Sequence, residues 1–339
     1  MEAITRRRLT SIAAAGSFAL AMPGLVRPAR AADFQYKFAH GFPLTHPVHT
    51  HLVAAAKKTA RDTGNALKIE VFGASQLGGD SQMMSQLRSG GVEFFTTAGL
   101  ILSTFVPVAG IYGMGFAFKS YDEVWKAIDG DLGEHIRDAF AKAGVHPFTT
   151  VWDNGFRQLS TSNRPVQKAD DLKGLKIRVP VSPLYTSLFR GLGAAPVNIN
   201  LGEAYAALQT QLVDGQENPL VVFETAKFFE VQKHVAETNH IWDGAWLLAG
   251  RRAWGALPAD MQAVVTRNFN AEGLRQRALS AELNNSLKQR LTAAGIAFTQ
   301  PDVASFVGAL RSTGFYSEWR GRYEPAAWQL LTKYAGELS

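Results

Sequence analysis

The sequence predicts an α/β protein of two lobes with a ligand cleft between them. Three observations predict it. A β-α-β-α-β rhythm opens the chain after a short leader, a second α/β unit follows past the midpoint, and 339 residues suffice for about two domains. Hydrophobic residues make up 46% of the chain and charged residues 19%, the balance of an ordered globular protein.

The first rhythm begins with Phe34, Tyr36 and Phe38 alternating against Gln35 and Lys37, as in a strand with one buried face. Pro47 opens a helix whose inner face is Val48, Leu52, Ala56 and Ala60, and Gly64 closes it. Leu67, Ile69 and Val71 alternate in a second strand. Gly78-Gly79 turns the chain, Asp80 is placed to cap a helix, and Gly90-Gly91 ends it. Residues 92–97 read as a third strand. Helical crossovers of this kind join parallel strands.

The second rhythm starts at residues 176–181, with Ile177, Val179 and Val181 on one face and Lys176 and Arg178 on the other. Ser182-Pro183 begins a helix and Gly193 stops it; residues 195–199 form a short strand. Asn200 is expected to cap the next helix, with Glu203 reaching back, Tyr205, Leu208 and Leu212 inside, and Gly215 at its end. Residues 258–294 read as one long helix ended by Gly295, before a strand at Ala297-Phe298 and a helix capped by Asp302.

The leader is a segment of its own. Arg6, Arg7 and Arg8 precede an apolar stretch from Ile12 to Met22, and Ala29-Arg30-Ala31 offers a small-residue cleavage site. This is the layout of a secretory signal peptide over residues 1–31. Thr5-Arg6-Arg7-Arg8-Leu9 also resembles a twin-arginine export signal, so both export routes stay open. The leader holds five of the 35 basic residues and one of the 29 acidic ones, so its removal leaves a net charge of +2. That balance, with no basic run interleaved with aromatics, points away from nucleic acid.

There is no cysteine, which excludes disulfides, thiolate metal sites and cysteine catalysis. No nucleophile elbow, P-loop, complete dinucleotide fingerprint or zinc-protease motif is present, so no enzyme activity and no cofactor are expected. His46, His49 and His51, with His40 upstream, are the best metal candidates, yet no carboxylate accompanies them and Pro47 makes the tract a helix start. No metal is expected. Arg178 stands at a strand end just before a helix start, where ligands of α/β sheets sit. A guanidinium there can hold a carboxylate through two parallel hydrogen bonds; an arginine on a solvated strand face is the competing reading.

Several runs carry a family resemblance: Asp171-Leu-Lys-Gly-Leu-Lys-Ile-Arg-Val-Pro180, Gly202-Glu-Ala-Tyr-Ala-Ala-Leu-Gln209, Val213-Asp-Gly-Gln-Glu-Asn-Pro219 and Lys227-Phe-Phe-Glu-Val-Gln-Lys233, with His240 beyond them. Gln76-Leu-Gly-Gly-Asp80 and His46-Pro47 match upstream. Together they resemble the solute-binding proteins of tripartite ATP-independent periplasmic (TRAP) transporters. The resemblance implies a type II periplasmic binding protein-like fold with a long helix spanning both lobes. Lobe I would take residues 32–154 and about 244–283, and lobe II residues 155–243 and about 284–339. It implies a monomer in the periplasm that passes a small organic acid to membrane-embedded TRAP transporter subunits.

By the same resemblance, Arg178 matches the family's carboxylate-gripping arginine, Asn218 a residue supporting that carboxylate, and Arg157 a second arginine. The loops depart from the polar lining of sugar-acid binders: Gly41-Phe42, Ala98-Gly99-Leu100-Ile101, Val181 and Leu201 are apolar or small. Trp152, Phe156 and Trp242 are expected to add aromatic walls. A sugar acid would leave hydroxyls unpaired there, at ~1–3 kcal/mol each. The expected ligand is therefore a monocarboxylate or 2-oxo acid with an apolar or aromatic body. The alternatives are a sugar-acid or dicarboxylate binder of the same family, or a ligand-sensing partner of a receptor.

Overall fold

The computed structural model describes residues 33–338. The leader expectation lies outside the described residues. The strands, in chain order, are β1 (Phe34–His40), β2 (Leu67–Phe72), β3 (Phe94–Ala98), β4 (Val145–Pro147), β5 (Trp152–Thr161), β6 (Lys176–Val179), β7 (Ala195–Asn198), β8 (Gly215–Pro219), β9 (His234–Ala236), β10 (Trp242–Gly250) and β11 (Ala297–Thr299). Their main pairing order is β2-β1-β3-β10-β5-β8-β6-β7. β1 runs parallel to β2 and β3, and β6 parallel to β7 and β8, as the two α/β rhythms require.

The two parallel halves are joined by the long antiparallel strands β5 and β10, which pair Trp242 with Phe156 and Ala245 with Trp152. The register slips between Asp243 and Gly244. Gly155 lies opposite that irregularity with φ +113°, a conformation costly for any residue with a Cβ.

The 35-residue helix Ala259–Ala293 contains no proline and a single glycine, Gly273. A Cβ on that glycine would come within 2.5 Å of the Trp152 indole nitrogen, so the glycine sets how closely helix and β5 approach. Its early residues Val265 and Phe269 pack with Phe38, Phe94, Phe148 and Trp152. Its later residues Leu287 and Leu291 pack with Leu208, Val222, Phe223 and Phe228. The helix therefore serves the cores of both lobes, as the resemblance implied. Between them, Gln276 clamps the backbone of Asp153, accepting from its N–H at 2.9 Å and donating to its carbonyl at 2.7 Å.

Helix Pro47–Asp62 is fastened to the long helix by Glu272, which accepts from His51 (2.8 Å), Arg275 (2.5 Å) and Lys58. Burial alone would raise the Glu272 pKa, but the hydrogen bonds from these three partners hold it at about 2. A carboxylate depressed below its unfolded value stabilises the fold fully above that unfolded value, and the contribution is lost as pH falls through the folded one. Glu272→Gln should accordingly lower the melting temperature at neutral pH by a few degrees. The difference from wild type should close as pH drops from about 4.5 toward 2. Thermal melts of both proteins across that range check it.

Three details differ from expectation. Asp80 is the first residue of helix Asp80–Ser89 and Gly79 is the cap, because the Asp80 carboxylate turns inward to Thr97 instead. Asn200 caps helix Leu201–Gln209 by position, without a side-chain hydrogen bond. Leu212 is 57% exposed and Gly215 begins β8, because that helix stops earlier, at Thr210. The last helix, Pro325–Ala335, packs against helices Tyr121–Ile128 and Asp131–Lys142 of the first half, and Lys333 and Tyr334 both bond Asp131 at 2.6 Å.

Candidate functional site

The C-terminal ends of the parallel strands converge on one cavity, as expected of ligand sites in such sheets. β1 leads into Gly41 and Phe42, β3 ends at Thr97 and Ala98, β6 carries Arg178 and leads into Pro180, and β8 carries Asn218; β5 contributes Asn154 and Arg157. Asp80, Ile101, Leu201 and Val222 complete the wall from the adjoining helices. The cavity measures about 30 Å³, far below the roughly 300–1,000 Å³ of a typical small-molecule pocket. An organic acid can enter only if the walls part.

The two arginines differ sharply. Arg157 is engaged at every nitrogen: its Nε and Nη2 meet the Glu217 carboxylate at 2.5 and 2.8 Å, and its Nη1 donates to Asp243 Oδ2 at 2.9 Å. Nη2 also donates to the Glu217 carbonyl (2.9 Å) and to Asn218 Oδ1 (3.0 Å). Burial opposes its charge, but Glu217, Tyr185 and Asp243 together hold its pKa above the ordinary value. Glu217 stays ionised against its own burial, with help from His240, whose Nε2 donates to it at 3.1 Å.

Arg178 is the opposite case. It is 1% exposed, and its one hydrogen bond runs from Nε to the Ile199 carbonyl at 2.8 Å. Nη1 is buried with no partner, and no carboxylate pairs with it among the described residues. Burial lowers its pKa to about 10, with Glu217 and Asp80 acting the other way. It remains charged at neutral pH. A buried guanidinium with open donors is costly, and that cost is offset when an anion supplies the missing acceptors.

Polar groups of the opposite character surround it. Asp80 is fully enclosed, and Thr97 Oγ1 donates to its Oδ1 at 2.9 Å. Burial raises its pKa, against the Thr97 bond and Arg178. Asn154 Oδ1 is buried without a partner. Asn218 Nδ2 donates to Gln216 Oε1 at 2.6 Å, which ties it into a chain running through Ser160 to Gln232. The remaining walls are apolar.

Of the six residues expected at the site, Arg178, Arg157, Asn218 and Phe42 line this cavity. Trp152 and Trp242 do not. Trp152 is wholly buried in the core between β1, β3 and the long helix. Trp242 packs against Tyr112 and Trp125, and its indole N–H is spent on Asp153 Oδ1 at 2.9 Å. Both belong to the crossing strands β5 and β10, whose tightly packed junction takes their bulk. Phe156 packs edge-on against Tyr121 at 5.2 Å, and Val181 lines a neighbouring groove.

Asp80, Thr97, Asn154, Glu217 and Asp243 stand at or behind the cavity wall beyond the six expected residues. Asp80 and Glu217 lie within the runs that carry the family resemblance; Asp243 has no local signal. The histidines of the tract are tied to one another, to the backbone and, through His51, to the Glu272 carboxylate that the sequence did not place beside them. His40 Nδ1 accepts from the Phe42 N–H at 3.1 Å, and its Nε2 donates to His49 Nδ1 at 3.0 Å. His46 caps its helix by accepting from Val48 N–H at 3.1 Å. Burial, with nearby histidines, drops the His40 and His46 pKa values to about 3, so both are neutral. No group of three or more metal-ligating side chains occurs among the described residues.

Fold and site together define a class: a two-lobed binding protein whose cleft presents one open cation in an otherwise compensated wall. Residues 38–314 match the family of bacterial extracellular solute-binding proteins, family 7. The protein y4mM of Sinorhizobium fredii is 34% identical over 96% of this chain, which spans only 61% of that relative's length. The C4-dicarboxylate-binding periplasmic protein DctP of Rhodobacter capsulatus is 30% identical, with 86% of each chain covered. Among solved structures, a TRAP periplasmic solute-binding protein of a Bradyrhizobium species, in complex with α/β-D-galacturonate, superposes with a TM-score of 0.83. It is 27% identical, with 89% of this chain and 100% of that one covered.

The chain belongs to the bacterial extracellular solute-binding proteins of family 7, the TRAP-type periplasmic binding proteins. Its family is one of transport proteins, not enzymes. No helix of the described residues is long and apolar enough to cross a membrane.

Proposed function

We propose that this protein captures a small organic acid in the periplasm, grips its carboxylate through Arg178, and hands it to the membrane subunits of a TRAP-type transporter. The observation that carries this reading is the buried Arg178 guanidinium, open at Nη1 and facing the cavity without a carboxylate of its own. Arg157 acts behind it, holding Glu217 and Asn218 in place. The lobes meet at β5 and β10, and parting there admits the ligand.

The body of the acid meets Phe42, Ala98, Ile101, Pro180, Leu201 and Val222. These walls favour a compact, largely apolar acid, such as a branched monocarboxylate or 2-oxo acid. Among the described residues Phe42 is the one aromatic ring against the cavity, too little for an acid to stack between aromatic walls. Asp80 and Asn154 Oδ1 favour a second feature, one or two hydroxyl groups on the acid. That feature keeps hydroxy and sugar acids in view, and galacturonate is bound by the Bradyrhizobium relative.

A thermal-shift panel of 4-methyl-2-oxopentanoate, pantoate, phenylpyruvate and D-galacturonate tests the assignment. A ligand at about 100 times its dissociation constant adds ~2.7 kcal/mol. The two branched acids should give the largest shifts. The largest shift from galacturonate, with none from the branched acids, would overturn the apolar-body reading and leave the carboxylate grip intact.

A further inference from the structure

Asp243 sits behind the cavity wall, on β10 at the point where its register slips against β5. It is fully buried. Its Oδ2 is a hub, accepting from Arg157 Nη1 at 2.9 Å, Tyr185 OH at 3.3 Å and Asn154 Nδ2 at 3.4 Å. Two consequences follow. Arg157 meets two carboxylates, Glu217 and Asp243, so each of its three nitrogens is engaged before any ligand arrives. Asn154 is also oriented: a carboxylate can only accept, so the amide NH2 points back to Asp243 and the unpartnered Oδ1 is left for the cavity side.

We propose that Asp243 is a positioning residue that sets the charge of the ligand. By occupying Arg157 and turning the Asn154 oxygen forward, it leaves Arg178 as the one available cation and surrounds it with acceptors. The cavity therefore takes a monoanion, with a hydroxyl for Asn154, and rejects a dianion. A second carboxylate would find no free guanidinium. It would face Asp80, Asn154 Oδ1 and the carboxylates already bonded to Arg157, and juxtaposed like charges are strongly unfavourable in a desolvated site. Burial raises the Asp243 pKa to about 6, while the charge-assisted bond from Arg157 Nη1 favours its ionised form. This inference rests on the reading of Arg178 as the carboxylate grip.

Calorimetric titration with two charge-contrasted pairs tests it: 4-methyl-2-oxopentanoate against 2-oxoglutarate, and D-galacturonate against galactarate. Wild type should bind the monoanion of a pair about tenfold or more tightly than the dianion. Asp243→Asn keeps the shape and removes the charge, freeing Arg157 Nη1 and allowing Asn154 to turn. The ratio should fall toward one or reverse. General loosening of the site would weaken both members alike and leave the ratio unmoved, so the ratio separates positioning from mere support. If Asp243→Asn does not fold, Asp243→Ser and the wild-type ratio still decide the matter.

A wild type that prefers the dianion, or that binds none of the four acids, overturns the proposal. So does an unchanged ratio in the Asp243 variants. Arg178→Gln separates the two levels. If it abolishes binding of both members while the Asp243 variants keep the wild-type ratio, only the charge proposal fails. If binding survives Arg178→Gln, the carboxylate reading itself fails.

Discussion

Arg178→Gln is expected to abolish binding of organic acids while leaving the empty protein as stable as wild type, or more stable. The wild-type guanidinium is fully buried, has an unpartnered Nη1, and makes one hydrogen bond, to the Ile199 carbonyl. Glutamine can keep that bond from its amide and relieves the burial of an unpaired charge, a change that is often neutral or stabilising. A bound carboxylate, by contrast, would be left desolvated without its cation, at a cost of about 3–5 kcal/mol, or roughly a hundred- to several thousandfold in affinity. Calorimetry and thermal melts on the same samples read both halves. A melting temperature that falls sharply in the variant would mean that Arg178 is a structural residue.

Arg157→Met should do the reverse, striking the fold first. Its guanidinium pairs with the buried carboxylates of both Glu217 and Asp243, and His240 is the other basic partner of Glu217. Removing one partner of a buried ion pair leaves an uncompensated charge and costs about 3–5 kcal/mol, a drop on the order of 10 °C in melting temperature. Because the loss comes from stranded carboxylates, adding Glu217→Gln to Arg157→Met should recover part of it. Non-additivity of this kind is the signature of one shared network. Thermal melts of the two single variants and the double variant check it. A double variant whose losses simply add would contradict the network.

The contrast between these arginines was not legible in the sequence. Strand alternation placed Arg178 at the end of β6, and the runs around it resemble a family with a carboxylate-gripping arginine. Both readings depend on local pattern, and the strands and helices of the first half and the long helix were legible for the same reason. Whether an arginine is open or engaged at every nitrogen depends on partners far away in sequence, such as Glu217 and Asp243 for Arg157. No periodicity reports them. Trp152 and Trp242 show the same limit. Their size suited a cleft wall, but the crossing of β5 and β10 beneath the long helix needed that volume for itself. Asp80 reads as a helix cap because aspartate is a favoured N-cap residue, and only the distant Thr97, whose hydroxyl donates to Asp80 Oδ1, shows its carboxylate turned inward.

The central claim is that a ligand carboxylate completes Arg178. Its most direct measurement compares the tightest-binding acid of the panel with its primary amide, an analogue of nearly the same shape that lacks the charge. The acid should bind and its amide should be weaker by roughly two orders of magnitude or more, since a charged pair in a desolvated site is lost while every other contact is kept. An amide that binds as tightly as the acid would contradict the claim, whatever else the cavity contains.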